Sequence, residues 1–361
     1  MSRGRVLLFT KGVAVNPASR YRFLQYIPYL QKAGLDVEAR PLFNEAYYRL
    51  GAEASPPIRL AKKTLLSAMA LARRLIDLPE ARRADLVVVE NQLFPYEQGL
   101  LEALLFAFGR RTLFEFDDAI YLTPLHAGKL KRVLKRAGHV IAGNDELAAF
   151  ARQVSSRVSV VPTVVDMDKY PETPYPPADV RRPFRIGWIG LPITLPYLDL
   201  AARPLARLAA ERAVELVVIS SREPAPPGVP VRFVNWSEEN EAEELAALDV
   251  GIMPLPDDPW TRGKCGLKLL QYMAAGRAAV ASPVGVNPKI VAHGENGFLA
   301  STEDQWFQAL RKLADDRGLA ARLGRAARRA AAEHYSLQVW GPRVAELYVN
   351  LIKYGKPTPE A

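Results

Sequence analysis

The chain has 361 residues, of which 49% are hydrophobic and 24% charged, and its net charge is +9. At roughly 150 residues per domain this length suggests two domains, with the apolar content of a soluble globular chain and enough for two cores. A lone cysteine, Cys265, excludes an internal disulfide; with no signal peptide visible it points to a reducing, cytoplasmic setting, and no stretch approaches the about 18 uncharged apolar residues of a spanning helix.

The first half alternates short apolar runs with amphipathic segments. Arg5–Thr10 reads as a buried strand and Ser19–Gly34 as one helix, with Ser19 as its N-cap and Gly34 as its stop. Asp36–Leu42, Ala84–Glu90, Arg111–Asp118, His139–Asn144 and Arg157–Thr163 repeat the strand pattern. Helical segments separate most of these runs, which is the pattern of a parallel, doubly wound sheet. Asp166–Pro183 holds five prolines and reads as a linker without regular structure. The alternation restarts at Phe184–Gly190 and continues through Glu215–Ser221, Val231–Trp236, Asp249–Pro254 and Ala278–Pro283. Thr302–Asp316, Gly318–Tyr335 and Ser336–Gly355 are helical, the last one amphipathic. The expected architecture is therefore two α/β, Rossmann-like domains with doubly wound parallel sheets, facing a cleft. Residues 1–165 form the first domain, 166–183 the linker and 184–336 the second domain. Ligands of open α/β sheets bind at the carboxyl ends of strands, so the loops that follow strands hold the candidate residues.

The loop after Asp249–Pro254 runs into "RGKCGLKLLQYMAAG" (Arg262–Gly276). Gly263 and Gly266 let the backbone come close to a ligand. A helix beginning near Leu267 offers unpaired amides and the positive end of its dipole. Arg262 and Lys264 add charge, and Lys268, four residues beyond Lys264, is expected on the same face of the helix. A diphosphate fits such a loop; the plain alternative is a solvated basic loop before a core helix. Gly190 and Thr194, after another strand, are candidates for phosphate contact through backbone and hydroxyl. Gly285, Val286 and Asn287 are candidates for contact with a base or sugar.

The segment "GLKLLQYMAAGRAAVASPVGVNPKIVAHGENGFLA" (Gly266–Ala300) resembles the donor-binding segment of the GT-B glycosyltransferases of family 4. The likeness extends to "HVIAGNDELAAFA" with "VSVVPTVVDMDKY" at the end of the first domain, and to the C-terminal "GRAARRAAAEHYSLQVW". It implies a final helix over 337–356 that crosses back to the first domain, a nucleotide-diphosphate sugar as co-substrate, no other cofactor, no metal, and retention of anomeric configuration. The family's usual loop is Glu-Gly-Phe-Gly-Leu with a second Glu eight residues after the first. The first acid meets the donor sugar hydroxyls and the second the ribose. This chain has Gly263 and Gln271 at those positions; Gln271 can still bond a ribose hydroxyl, whereas Gly263 cannot hold a sugar. The loop that usually carries an Arg near the diphosphate is uncharged here, Gly187–Leu198, so Lys264 and Lys268 are assigned to the diphosphate, with Cys265 and Leu267 beside them.

On the acceptor side, Asp117 and Asp118 end an apolar strand where many family members have a histidine. Either could serve as a general base toward an acceptor hydroxyl; the alternative is a pair of turn acids. Arg20 and Arg22 sit at a helix start, where arginine opposes the dipole and an anion contact is a reason for their presence. Glu90 and Asn91 end a further strand. Two basic segments, Ile58–Ile76 and Gly128–Gly138, suit either a solvated face or an anionic membrane surface. A lipid-linked acceptor would place the protein peripherally on the inner membrane face. No recognised nucleic-acid motif accompanies the charge. The reading is a glycosyltransferase with a glycan or lipid-linked acceptor. Its rivals are a non-catalytic nucleotide- or partner-binding module on the same fold and a nucleotide-sugar epimerase.

Overall fold

The computed structural model describes residues 4–48, 56–109, 111–124, 126–175, 182–223 and 228–356. The chain divides into two compact units, Met1–Thr163 with Trp340–Ala361, and Val164–Val339. The first holds strands β1 (Gly4–Gly12), β2 (Leu35–Phe43), β3 (Leu86–Glu90), β4 (Thr112–Phe116), β5 (His139–Ala142) and β6 (Val158–Val160), in spatial order β2-β1-β3-β4-β5-β6. The second holds β7 (Phe184–Ile189), β8 (Val214–Ser220), β9 (Val231–Asn235), β10 (Val250–Met253), β11 (Ala278–Ala281) and β12 (Gly297–Leu299), in order β12-β11-β10-β7-β8-β9. Every neighbouring pair is parallel. Every residue of β3, β4 and β10 is buried. Strands covered on both faces by helices need apolar side chains on both, so they read as continuous apolar runs.

In the first unit the connecting helices are α1 (Pro17–Arg22), α2 (Ile27–Lys32), α3 (Pro56–Asp77), α4 (Leu100–Phe108), α5 (Ala127–Arg136) and α6 (Asp145–Arg152). The single helix expected over Ser19–Gly34 is two helices joined by a 3-10 turn at Leu24–Tyr26. Pro28 lies in the first turn of α2, where a missing N–H costs nothing, and so marks a start rather than an interior. The cap is Asn16, whose side chain accepts from the Ser19 amide at 3.1 Å, with Pro17 next in line. Ser19 turns its hydroxyl to Glu90 instead, at 2.7 Å.

The second unit adds α7 (Asp199–Glu211), α8 (Glu241–Ala246), α9 (Pro259–Arg262), α10 (Leu267–Ala274), α11 (Asn287–Ile290), α12 (Glu303–Asp315), α13 (Arg317–His334) and the start of α14 (Leu337–Tyr354). From Trp340 onward α14 belongs to the first unit, where Gly341 lies against the Tyr29 ring; a Cβ there would come within 2.6 Å of it. The proline-rich segment 166–183 also differs from a bare linker. It contains a 3-10 turn at Met167–Lys169, and its described residues pack on the second unit. Tyr170 is buried and donates to Glu241, and Arg182 grips Asp249 through two nitrogens at 2.7 and 2.6 Å. Residues 176–181 lie outside the described residues.

Two basic residues of the segments read from sequence as a solvated or a membrane-facing surface are core residues instead. Arg74 of α3 is 1% exposed and donates to the carbonyls of Leu93, Arg40 and Thr10 at 3.3, 2.6 and 2.7 Å. Burial pushes its guanidinium down to about 10, still charged at neutral pH. Lys129 of α5 is likewise buried, donating to Phe94 O at 2.7 Å and pairing with Glu97 and Glu102 at 2.6 and 3.0 Å. An Arg74→Leu substitution keeps the apolar stem but strands three carbonyls around it. It is expected to destabilise the protein by about 3 kcal/mol or more, read as a lower urea midpoint at unchanged m-value.

Candidate functional site

In the second sheet the chain runs from β7 outward through β8 and β9, then returns to the other side of β7 with β10. Connections leaving in opposite directions open a crevice at the carboxyl ends of β7 and β10. The two strands pair only at Val250↔Ile186 and Gly251↔Gly187. Beyond that register the hydroxyl of Tyr272, on α10, stands between them. It accepts from the Ile189 amide at 3.1 Å and donates to the Ile252 carbonyl at 3.1 Å. Tyr272 is fully buried, and burial drives its phenol above the usual range, so it stays a donor. Gly251 makes room: a Cβ there would sit 2.3 Å from the Tyr272 ring. The tyrosine therefore fixes where α10 begins relative to the crevice.

The loops converge on that helix start. Asp258 caps α9 with a reciprocal bond to Thr261, and Gly263 closes it. The half-buried Cys265 follows, its Sγ 3.8 Å from the Gly263 carbonyl. Gly266 is the N-cap of α10 at φ +74°, a conformation favouring glycine, and a Cβ there would strike Ile290 at 2.3 Å. The loop after β11 docks on the same backbone. Gly285, at φ +57°, lies so close that a Cβ would be 2.7 Å from the Arg262 carbonyl. Val286 starts α11, and the buried Asn287 donates to the Ser282 carbonyl at 2.9 Å. The Ser282 hydroxyl accepts from the Leu255 amide at 2.9 Å, tying this loop to the one after β10.

Gly190 stands at the tip of β7, and a Cβ there would meet the Trp188 ring at 2.6 Å and Cε of Lys268 at 2.8 Å. The structure thus brings Gly190 and Lys268 into contact, with the Lys268 ammonium 5.3 Å from the centroid of the buried Trp188. Thr194 turns its hydroxyl back on the Leu191 carbonyl at 2.9 Å. Lys264 does not share a helix face with Lys268, as the four-residue spacing suggested. It precedes the helix, its amide bonds Thr261 O at 3.0 Å, and Gly266 bends the chain between the two lysines. Its ammonium lies 5.1 Å from the Trp260 centroid. Arg262 points to Asp257, 2.7 Å away, as a half-exposed pair. Leu267 opens α10, and Gln271, one turn in, is 4% exposed. Lys264 and Lys268, both partly buried, lie on either side of the glycine that caps the start of α10, and cations beside a helix start suit an anion.

In the first unit the corresponding switch lies between β1 and β3, and Glu90 occupies it. Its Oε2 accepts from the Lys11 amide at 2.8 Å and the Ser19 hydroxyl at 2.7 Å, and Oε1 has no hydrogen-bond partner among the described residues. Burial pushes this carboxyl up to about 7 against the pull of those donors. Asn91 is held at φ +55°, where asparagine is tolerated, and donates to Asp117 at 3.3 Å. Asp117 and Asp118 are half-buried at the end of β4. Glu90, Asn91 and Asp117 are thus one group. Arg20 and Arg22 do not sit at a helix start, as expected from sequence, but in the last turn of α1, where a cation suits the dipole. Arg22 serves the core, 2% exposed, donating to Glu115 at 2.7 Å and to Val161 O at 2.8 Å. Arg20 is 6% exposed, its guanidinium 4.7 Å from the Tyr21 centroid.

Trp188 and Tyr272 were not singled out by sequence. Gly251 carried a usable signal, since glycine inside a strand marks a close approach by another group.

Residues 185–316, within the second unit, match the family model described as Glycosyl transferases group 1. The D-inositol 3-phosphate glycosyltransferase of Streptomyces avermitilis is 38% identical over 94 residues, 26% of this chain and 19% of that protein. The match thus spans about a fifth of that curated relative. The sucrose-phosphate synthase of Thermosynechococcus elongatus has a TM-score of 0.67 at 16% identity, over 97% of this chain and 99% of that one. The HepE protein of Anabaena, solved with UDP and glucose, has a TM-score of 0.65 at 16% identity, over 97% and 100% of the two chains. The fold is accordingly the two-unit GT-B arrangement of Rossmann-like sheets.

Tyr272→Phe leaves the Ile189 amide and Ile252 carbonyl buried without their partner. The expected loss is about 2–4 kcal/mol, measured by denaturant titration. The raised Glu90 carboxyl means that the folded state binds a proton that the unfolded state releases from its ordinary value upward. Its contribution to stability is therefore largest below about pH 4.5 and declines as pH rises through about 7. Glu90→Gln keeps the two accepted bonds, and the fall in unfolding free energy from pH 5 to 7.5 is expected to flatten.

Proposed function

We propose that this chain, whose second unit carries the group 1 glycosyltransferase domain, moves a sugar from a nucleoside diphosphate sugar to a hydroxyl of a glycan or lipid-linked acceptor. The observation that supports this most directly is the meeting of Gly190, Lys268 and the Gly266-capped helix at the β7–β10 crevice. In this reading the diphosphate lies on Lys268, Lys264 and the first turn of α10. Those groups stabilise the negative charge that grows on the leaving nucleotide as the glycosidic bond breaks. Gly285, Val286 and Asn287 face the base or ribose, and Gln271 bonds a ribose hydroxyl. Because the Anabaena protein was solved with UDP, a uridine diphosphate sugar is the first donor to try. Asp117, held by Asn91, or Asp118 receives the acceptor proton, Glu90 and Asn91 line the acceptor pocket, and the sugar is transferred with retention. Arg20 and Arg22 hold the start of the first unit's acceptor side in place. No metal or further cofactor enters this reading. A lipid-linked acceptor accounts for the basic surface, through peripheral contact with the anionic inner face of a membrane.

Gly263 supports a second reading, a nucleotide-binding module without transferase activity, because no acid stands there to grip the donor sugar. A donor panel separates the two. Under the transferase reading, Lys268→Ala and Lys264→Ala each lower turnover by about a hundredfold with a much smaller change in donor Kd. Nucleotide binding with no turnover of any donor sugar favours the second reading, and wild-type turnover in both variants removes the lysines from the site.

A further inference from the structure

Helix α3 (Pro56–Asp77) presents an apolar ridge to solvent. Ile58, Leu65, Met69 and Ile76 are 53%, 62%, 56% and 75% exposed. Their spacings of seven, four and seven place them in one row along the helix, about 27 Å from end to end at 1.5 Å per residue. On one flank, three residues from members of the ridge, lie the exposed Ala61, Ala68 and Ala72. On the other, four residues after Ile58 and Met69, lie the exposed Lys62 and Arg73. Arg59 and Lys63 are half-buried on the same helix, and no Asp or Glu occurs between Pro56 and Ile76. The opposite face holds Arg74 and Ala70 in the core in the second half of the helix, and off the ridge Leu60 and Leu75 are also exposed, at 68% and 50%. Helix α5 (Ala127–Arg136) provides a contrast. It exposes Lys131, Arg132, Lys135 and Arg136, whereas its large apolar residues Leu130, Val133 and Leu134 are all buried.

We infer that α3 lies in the plane of an anionic phospholipid surface, with Ile58, Leu65, Met69 and Ile76 inserted among the acyl chains and Lys62 and Arg73 on the headgroups. A row of large apolar side chains flanked by cations, with no acid on the helix face, is complementary to a negatively charged interface. A second copy of this chain fits the same face poorly. Twofold pairing of two such helices sets Lys62 of one copy near Arg73 of the other, like charge on like charge. Among the described residues no helix is long and apolar enough to cross a membrane. The inference rests on the membrane contact in the reading above and is independent of sugar transfer. Turnover on a soluble acceptor tests the one, and vesicle binding tests the other.

The experiment is co-sedimentation of the full chain with vesicles of phosphatidylglycerol and phosphatidylcholine, and with phosphatidylcholine alone, at low and high salt. The anionic vesicles are expected to bind the protein at low salt, and the neutral ones much more weakly. The double variant Leu65→Gln/Met69→Gln, at exposed positions, retains the wild-type thermal midpoint and loses about tenfold or more in partition. Lys62→Gln/Arg73→Gln loses about tenfold on anionic vesicles and flattens the salt dependence. Lys131→Gln/Lys135→Gln on α5 loses less than either. The inference is overturned if anionic vesicles leave the protein in the supernatant. Undiminished binding by the Leu65/Met69 variant also overturns it. So does a concentration-dependent dimer that the same variant dissolves, which assigns the ridge to a second copy.

Discussion

The candidate site depends on one hydroxyl. Where β7 and β10 part, a backbone amide and a carbonyl lose each other as partners, and buried backbone groups without partners are costly. Tyr272 satisfies both from α10. That requires the ring to lie against Gly251, which only a residue without a Cβ permits at this distance. Because the tyrosine is anchored at the sheet, the first turn of its helix is anchored too. Gly266, Lys268 and the β11 loop on Arg262 inherit their positions from it. The parting of two strands thus defines the crevice and sets the helix that lines it.

The two units solve the same topological problem with opposite chemistry. Each has a switch point beside its first strand. In the second unit the loops there are rich in glycine and lysine, and the carboxylates nearby are committed to caps and exposed pairs, such as Asp258 with Thr261 and Asp257 with Arg262. In the first unit a buried glutamate closes the gap, taking the Lys11 amide and the Ser19 hydroxyl. Glu115 next to it is pushed up to about 7 by burial and drawn back by Arg22. One crevice therefore suits an anion, and the other carries acids close to Asn91 and Asp117. In the proposed reading, the former crevice takes the negatively charged donor and the latter takes the acceptor hydroxyl.

The strands were legible because parallel strands covered on both faces need unbroken apolar runs, and β3, β4, β7, β8 and β10 supply them. Short β12 escapes the pattern, since three residues that begin with a glycine carry no periodicity. The helix break near Pro28 was missed because the apolar spacing continues through it, while the decisive facts are the absent N–H and the Asn16–Pro17 start. The basic helices misled at Arg74 and Lys129, because a long cationic side chain reads as surface until carbonyls or carboxylates surround its head. The same limit applies to Lys264 and Lys268. Their spacing is helical in the sequence, and only the left-handed Gly266 separates them.

By itself the sequence determined the two-domain α/β organisation, the strands, the family likeness and the glycine-lysine loop as the place to look, since each follows from local composition, period and motif. Tertiary structure decided which charges are free to act. Whether an arginine ends in water, on a carbonyl or against a glutamate depends on residues far away in the chain, as Arg74 with Thr10 and Arg22 with Glu115 show. It also decided that Tyr272 holds the crevice and that the apolar row of α3 faces outward. A helical period fixes which residues share a face, and only packing fixes which way that face points.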